Sequence, residues 1–289
     1  MNKQEILITG GSGTLGTSLV RYIMERFKPR GIRIFSRSEL RQARVRQELK
    51  GEGIEGNIAW IIGDVRDKES LDMAMRGVDI VIHSAALKRI DTGEENPIEF
   101  VKTNIDGSKN VVTSAVENGV KKCVLISTDK AVDPISLYGA TKMVAEGVFT
   151  YGNVYSGKNG PKFFVIRYGN VFNSNGSVVE IFERQAAEGG PILITDRRMT
   201  RFWIKKETVC KFIVDSIIDD SDRRLYIPKM RSSTILDLAS VIAPNVSAVE
   251  IGLRCREKIH EKIDDGVESN DIELLMSKDE LKDWIENGE

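Results

Sequence analysis

The sequence predicts an α/β fold: a doubly wound parallel sheet followed by a smaller C-terminal α/β lobe. Three observations carry that prediction. The chain opens with a strand, a glycine turn and a helical pattern in direct succession. Short apolar runs then alternate with helical patterns to about residue 166, the order that builds a parallel sheet. The polar clusters fall just after the apolar runs, at the strands' C-terminal ends, where such sheets hold ligands.

Composition sets the outer bounds. The 289 residues, 41% apolar and 29% charged, suit one large domain or two unequal ones with ample core. A net charge of −1 argues against nucleic-acid or membrane-surface partners. Three widely spaced cysteines do not form a disulfide framework and read as reduced thiols of a cytosolic chain. Two distant histidines, His83 and His260, have no metal-ligand spacing, so no metal site is expected. No apolar run approaches the roughly 18 residues of a membrane span. The chain enters a strand at once, with no signal peptide, so a cytoplasmic location is expected.

The elements follow in order. Residues 5–9, EILIT, are the first strand. Gly10-Gly11-Ser12-Gly13-Thr14-Leu15-Gly16 comes next, then a helix through Leu19, Val20 and Ile23. Gly11, Gly13 and Gly16 satisfy G-x-G-x-x-G in the context that pattern needs; Gly10, Gly13 and Gly16 also satisfy G-x-x-G-x-x-G. Glycines let the backbone approach a pyrophosphate, whose charge the helix N-terminus favours. That makes the first unit a Rossmann-type dinucleotide site.

The second strand, Ile32–Phe35, ends in Ser36-Arg37, where NAD-binding sheets carry an acidic residue for the ribose 2′-hydroxyl. A hydroxyl and a guanidinium suit a 2′-phosphate instead, so NADP is expected; otherwise Arg37 is simply solvated. The third strand, Ala59–Ile62, leads to Gly63-Asp64-Val65. Asp64 either accepts from the adenine amino group or caps the next helix. The fourth, Asp79–Ile82, opens into His83-Ser84-Ala85-Ala86-Leu87-Lys88, where small residues let a cofactor lie across the strand tips. Lys88 points into the cleft or at solvent, and spacing does not decide which. His83 reads as a packed strand-end residue. Asn104–Asn118 has helical periodicity and stops at Gly119.

The fifth strand, Cys123–Ile126, ends in Ser127-Thr128-Asp129-Lys130. Tyr138 and Lys142 follow, one turn apart if a helix starts near Tyr138. A phenol titrates near 10, and a nearby ammonium favours the phenolate, so Tyr138 is a candidate base tuned by Lys142. Asp129 and Lys130 add an acid/base pair at the strand's mouth. Phe163–Ile166 is the sixth strand, followed by Arg167-Tyr168-Gly169-Asn170.

Beyond it the alternation loosens. Helices are expected at 177–188, 207–218 and near 234–242, and extended segments at 191–195, 225–227 and 249–251. Residues 197–201 read as a basic loop, and Arg254, Arg256 and Lys258 as a second basic cluster. Both suit a phosphorylated substrate, or are merely solvated. The charged tail, 261–289, is expected to be peripheral. The domain division is 1–167, with 204–219 packing back on it, and 168–289 as mainly a substrate lobe.

Together the glycine loop, Tyr138-x-x-x-Lys142 and the strand-end residues resemble the extended short-chain dehydrogenase/reductase superfamily. The longer stretches Ala85-Ala86-Leu87-Lys88, Ser127-Thr128-Asp129-Lys130-Ala131, Leu137-Tyr138-Gly139-Ala140-Thr141-Lys142, Arg167-Tyr168-Gly169-Asn170-Val171, Gly176-Ser177-Val178-Val179 and Arg198-Met199-Thr200-Arg201-Phe202-Trp203 narrow the match. They look like the soluble, inverting UDP-N-acetylglucosamine 4,6-dehydratases that start pseudaminic acid synthesis, over residues 4 to about 262. dTDP-glucose 4,6-dehydratases are similar but carry Asp-Glu in place of Asp129-Lys130. The large membrane-bound sugar dehydratases lack the tyrosine. This chain departs from the family in two places. Arg254-Cys255-Arg256-Glu257-Lys258 stands where the family reads Arg-Pro-Gly-Glu-Lys, and Phe172-Asn173-Ser174-Asn175 lacks the usual Gly-Ser-Arg.

The resemblance implies NADP held by Gly10, Ser12, Gly13, Thr14, Leu15, Gly16, Ser36, Arg37, Asp64, Val65, Ala85, Ala86, Lys88, Tyr138 and Lys142. It implies a UDP-N-acetylglucosamine substrate held by Lys88, Asn170, Val178, Val179, Thr195, Arg201, Arg254 and Glu257. Catalysis would fall to Thr128, Asp129, Lys130, Tyr138 and Lys142. Tyr138 would take the C4 hydroxyl proton, and Thr128 would polarise the C4 oxygen. A neutral Lys130 would take the C5 proton, and a protonated Asp129 would release the C6 hydroxyl as water. Reprotonation on the opposite face would invert C5. Relatives form dimers and hexamers, so a homo-oligomer is expected. A nucleotide-sugar 4-epimerase needs the same tyrosine and lysine but no elimination, so Asp129-Lys130 argues against it. A non-catalytic NADP-binding regulator has no need of Tyr138 and Lys142 together.

Overall fold

The computed structural model describes residues 1–174 and 176–287; Asn175, in the second of the departures, lies outside them. The first half is the expected alternation. In order it comprises β1 (Glu5–Thr9), α1 (Thr14–Arg26), β2 (Gly31–Ser36), α2 (Glu39–Gly51), β3 (Ile58–Ile62), α3 (Lys68–Met75) and β4 (Ile80–His83). Two short helices, α4 (Ile90–Glu95) and α5 (Pro97–Phe100), lead through a π-helical turn, Val101–Asp106, into α6 (Gly107–Glu117). Then come β5 (Lys122–Thr128), a 3₁₀ turn at Asp129–Ala131, α7 (Leu137–Ser156) and β6 (Lys162–Tyr168). The helix expected from Asn104 thus begins inside the wider turn, and regular α-geometry starts at Gly107.

The second half supplies β7 (Asn170–Val171), α8 (Val178–Ala187), β8 (Ile192–Ile194), β9 (Thr200–Ile204), α9 (Lys206–Ile218) and β10 (Leu225–Tyr226). It continues with β11 (Arg231–Thr234), α10 (Ile235–Ile242), β12 (Ala248–Glu250), β13 (Lys262–Asp264), β14 (Val267–Glu268) and α11 (Lys278–Asn287).

Seven parallel strands form the central sheet in the order β10-β6-β5-β4-β1-β2-β3. Chain direction across the sheet reverses between β1 and β4, so their C-terminal ends open a crevice for a ligand. Side chains alternate between faces along each strand, which builds two cores. Ile6, Ile8, Val124 and Ile126 meet Leu19, Val20 and Ile23 of α1 and Val209, Ile213 and Val214 of α9 on one face. Leu7, Val81, Cys123 and Leu125 meet Leu71, Val111, Ala115, Ala145 and Phe149 on the other. Ser38, Asp67, Ser136 and Thr234 cap α2, α3, α7 and α10 by accepting a main-chain N–H in the first turn.

The lobe departs from expectation in two places. The basic stretch 197–201 is a loop only as far as Met199. Thr200–Ile204 is a fully buried strand, paired antiparallel with β11 and parallel with β7. Arginine at its second position masks it, because the guanidinium is buried and satisfied rather than solvated. The tail is not peripheral either. Met276, Leu281 and Trp284 pack into the lobe core with Val179, Phe182, Trp203 and Leu238. The charged residues of α11 face out and its apolar stripe faces in, a period that short helices hide among charges. Among the described residues no helix is long and apolar enough to cross a membrane, and no group of three metal-ligating side chains occurs.

Candidate active site

Three features line the crevice. The first is the glycine turn. Gly10 sits at φ +69°, and a Cβ there would lie 2.8 Å from the Ala85 main-chain nitrogen. The turn is therefore pressed against the loop after β4. Helix α1 starts at Thr14 with no side-chain cap, leaving its first-turn N–H groups for a ligand. An anion at this helix N-terminus fits both the free donors and the dipole. At the tip of β2, Ser36 Oγ is 2.8 Å from Ser12 Oγ. Arg37 is half-exposed, with one distant partner, Asp64 at 3.8 Å. Asp64 is mainly engaged by Arg66 at 2.7 Å; burial alone would raise its pKa, but Arg66 holds it below the usual carboxylate range. The Val65 side chain is buried. These residues fit a dinucleotide with a guanidinium, not a carboxylate, at the β2 tip.

The second feature is the loop Ser84–Lys88. Its position depends on Asn104, which sequence reasoning did not single out. Asn104 Oδ1 accepts from Leu87 N at 2.8 Å, and its Nδ2 donates to Leu87 O at 2.9 Å and Thr141 Oγ1 at 3.0 Å. It thus ties the loop to α7. Burial lowers the Lys88 pKa. His83 is packed, as expected. Thr9 Oγ1 lies 2.7 Å from its Nδ1 and Ser108 Oγ 3.2 Å from its Nε2, and its ring stacks on Phe149. Burial pushes it down to about 3, so it is neutral.

The third feature is the end of β5. Helix α7 begins at Leu137, capped by Ser136, and Gly139 lets it sit directly on the Lys130 carbonyl. Tyr138 and Lys142 are one turn apart on it, as expected. Lys142 Nζ, however, donates to Ile126 O at 2.7 Å. Burial pushes Lys142 down to about 8 and Tyr138 up to about 12. The Lys130 cation draws the phenol back down. Lys130 itself is clamped. Its Nζ is 3.0 Å from Asp129 Oδ1, 3.3 Å from Asn170 Oδ1 and 3.3 Å from Glu261 Oε1. Burial would lower its pKa, but the carboxylates of Asp129 and Glu261 outweigh that and hold it above the ordinary lysine value. The neutral amine expected of a base is therefore not its resting form. Thr128 Oγ1 donates to Asp129 Oδ1 at 2.9 Å, and Asp129 is fully buried.

Beside this cluster lies a cavity of about 220 Å³. Lys130, Asn170, Val178, Thr195, Arg201, Arg254 and Glu257 line it, so most of the expected substrate residues converge. Lys88 is not on its wall. Val179 packs inside the lobe core, leaving only its main chain available to a ligand. Arg201 is buried, donating to the carbonyls of Thr200 at 2.7 Å, Lys258 at 3.0 Å and Ile259 at 3.1 Å. It braces the 254–260 segment more than it offers a free cation. Arg256 holds the left-handed turn (φ +65°) at the first departure and reaches Ile135 O at 3.4 Å and Glu94 at 3.8 Å. Glu94 also accepts from Leu137 N at 3.0 Å, which links the segment to the start of α7. Glu94 and Glu261 carry no sequence signal of their own, because their partners are remote in the chain.

A family model described as polysaccharide biosynthesis protein matches residues 6–278. A UDP-N-acetylglucosamine 4,6-dehydratase (inverting) of Campylobacter jejuni is 46% identical over 261 residues, covering 90% of this chain and 77% of the relative. The X-ray structure of Pen from Bacillus thuringiensis matches with a TM-score of 0.89 at 31% identity, covering 98% of this chain and 97% of that one. The dTDP-glucose 4,6-dehydratase from Streptomyces venezuelae, solved with NAD and TYD bound, matches with a TM-score of 0.76 at 21% identity, over 98% of this chain and 91% of that one. At that identity the last likeness speaks for the fold alone.

Proposed function

The chain belongs to the polysaccharide biosynthesis protein family of extended short-chain dehydrogenase/reductases, and from that premise we propose that it is an inverting UDP-N-acetylglucosamine 4,6-dehydratase. One observation carries the reading: Asp129 and Lys130, 3.0 Å apart at the mouth of β5, with Lys130 on the cavity wall. An elimination needs an acid and a base together. A 4-epimerase has no use for that pair, and a regulator none for Tyr138 one helical turn before a buried Lys142.

The cofactor is a nicotinamide dinucleotide, and Ser36-Arg37 in place of an acidic residue at the end of β2 supports NADP. When bound, it supplies reversible hydride transfer, so the net reaction is loss of water. Residues 1–167 with α9 hold it, and 168–289 mainly hold the sugar nucleotide. Tyr138 takes the C4 hydroxyl proton, with the Lys130 cation favouring the phenolate. Thr128 turns its hydroxyl from Asp129 Oδ1 towards the C4 oxygen. Moving one proton across the Lys130–Asp129 contact converts the ion pair into a free amine and a neutral acid. Those are the two forms the elimination needs. A sugar that excludes water from the cavity favours the uncharged pair, because desolvation penalises both charges. Lys130 then takes the C5 proton, Asp129 protonates the leaving C6 hydroxyl, and reprotonation from the other face inverts C5.

On this reading the chain works in the cytoplasm as a homo-oligomer, a dimer or hexamer. Three free cysteines support the first. Exposed Met143, Val144, Tyr151, Val154 and Tyr155 on α7 support the second. The test is to incubate the protein with UDP-N-acetylglucosamine in D₂O and follow it by proton NMR. A new C6 methyl, a 4-keto sugar and deuterium at C5 with L-arabino couplings are expected. Retained C5 configuration would overturn the inversion. No turnover with NADP bound would overturn the substrate.

A further inference from the structure

Glu261 stands on the segment expected to be peripheral, yet it is 2% exposed and lines the cavity. Its main-chain N–H donates to Ser269 Oγ at 2.9 Å, which fixes the backbone. Its carboxylate faces three cations: Lys130 at 3.3 Å, Arg201 at 3.8 Å and Lys258 at 3.8 Å. Oε2 has no hydrogen-bond partner. A buried carboxylate is costly unless its charge is used. Arg201 and Lys258 are satisfied by main-chain carbonyls. The Lys130 ammonium has Asp129 and Asn170 besides Glu261.

We propose that Glu261 is a positioning residue for Lys130, stabilising the positive charge that develops on its Nζ as it takes the C5 proton. The inference rests on Lys130 being the C5 base. In that step the C5–H bond breaks and an N–H bond forms, while the electron pair moves into the 4-keto group as an enolate. Glu261 neither gains nor loses a proton. Charge appears on Nζ only as the proton arrives, so a fixed carboxylate 3.3 Å away stabilises the transition state more than the free amine. The other groups facing Lys130 are Asp129, Arg201, Tyr138 and Lys88. Asp129 is committed to the leaving group and Arg201 and Lys88 are cations, so Glu261 is the carboxylate left for this task.

The test is the pH profile of C5 proton–deuterium exchange in the NADP-loaded protein, for wild type, Glu261→Gln and Glu261→Asp. Removing a carboxylate makes the ammonium easier to deprotonate. The limb reporting Lys130 therefore moves to lower pH in Glu261→Gln while the maximal exchange rate falls about 10²-fold. Glu261→Asp keeps the carboxylate charge but retracts it from Nζ, and shifts the limb part of the way. NADP affinity and KM stay near wild type. An unmoved limb in both variants, or a raised KM with an unmoved limb, overturns the proposal. Lys130→Ala is run beside them. Its loss of exchange keeps the base assignment whatever Glu261 does; retained exchange sinks that assignment and this inference with it.

Discussion

Lys142 is a lysine stored in the interior, at 4% exposure, with one carbonyl for a partner. Its pKa is about 8 in the fold against an ordinary 10.5. Between those values the unfolded chain binds a proton that the native state does not. Stability therefore rises with pH across that window, and below it the penalty is constant. We expect the unfolding free energy of wild type minus that of Lys142→Met to grow by up to about 1.4 kcal/mol per pH unit from pH 8 to 10. Urea melts at four pH values test it, and a flat difference would refute it. Arg37 makes the complementary case on the surface. With one long ion pair, it is free to meet a phosphate. Arg37→Asp should cost about 1.5–3 kcal/mol of NADP affinity and little NAD affinity. Paired titrations decide, and an unchanged NADP affinity would refute the 2′-phosphate role.

Single elements show where pattern and packing part company. The first strand, glycine turn and helix were legible because each needs a residue type that nothing else explains. At Gly16 a Cβ would fall 2.5 Å from the Gly11 Cα. We expect Gly16→Ala to lose about 1–3 kcal/mol of stability and to weaken cofactor binding in parallel, read by denaturation and by titration. Helix α11 is the opposite case. Its charges suggested a solvated end, yet Trp284 closes the lobe core against Phe172 and lies under Lys205. Trp284→Ala should cost about 3–5 kcal/mol. A change below 1 kcal/mol by chemical denaturation would mean the helix is only docked loosely. Strand β9 was hidden for a related reason. An arginine inside a buried strand looks like a loop residue until its carbonyl partners are known.

At the scale of the molecule, the sheet and the lobe supply different halves of one site. The residues proposed to hold the cofactor follow the ends of β1, β2, β3 and β4. Asp129, Lys130 and Tyr138 come from the end of β5 and the start of α7, and the cavity wall mostly from the lobe, closed by Ile90, Lys130, Ile135 and Ser136. A ligand that binds the native form stabilises the whole chain, so NADP at 100 times its Kd should add about 2.7 kcal/mol to unfolding. The same concentration should add much less in Gly16→Ala; equal thermal shifts in both would place the cofactor elsewhere.

By itself the sequence determined the parallel sheet, the dinucleotide turn, the absence of an acidic residue on β2 and the Asp129-Lys130, Tyr138, Lys142 set. These are local: periodicity, glycine and spacing within one turn or one strand end express them. Only the tertiary structure decided that Lys130 rests as a cation beside Asp129 and Glu261, and that Glu261 and Asn104 come up against these residues. Charge state depends on burial and on carboxylates brought in from remote segments. Neither distance nor dielectric can be read along a chain before it folds.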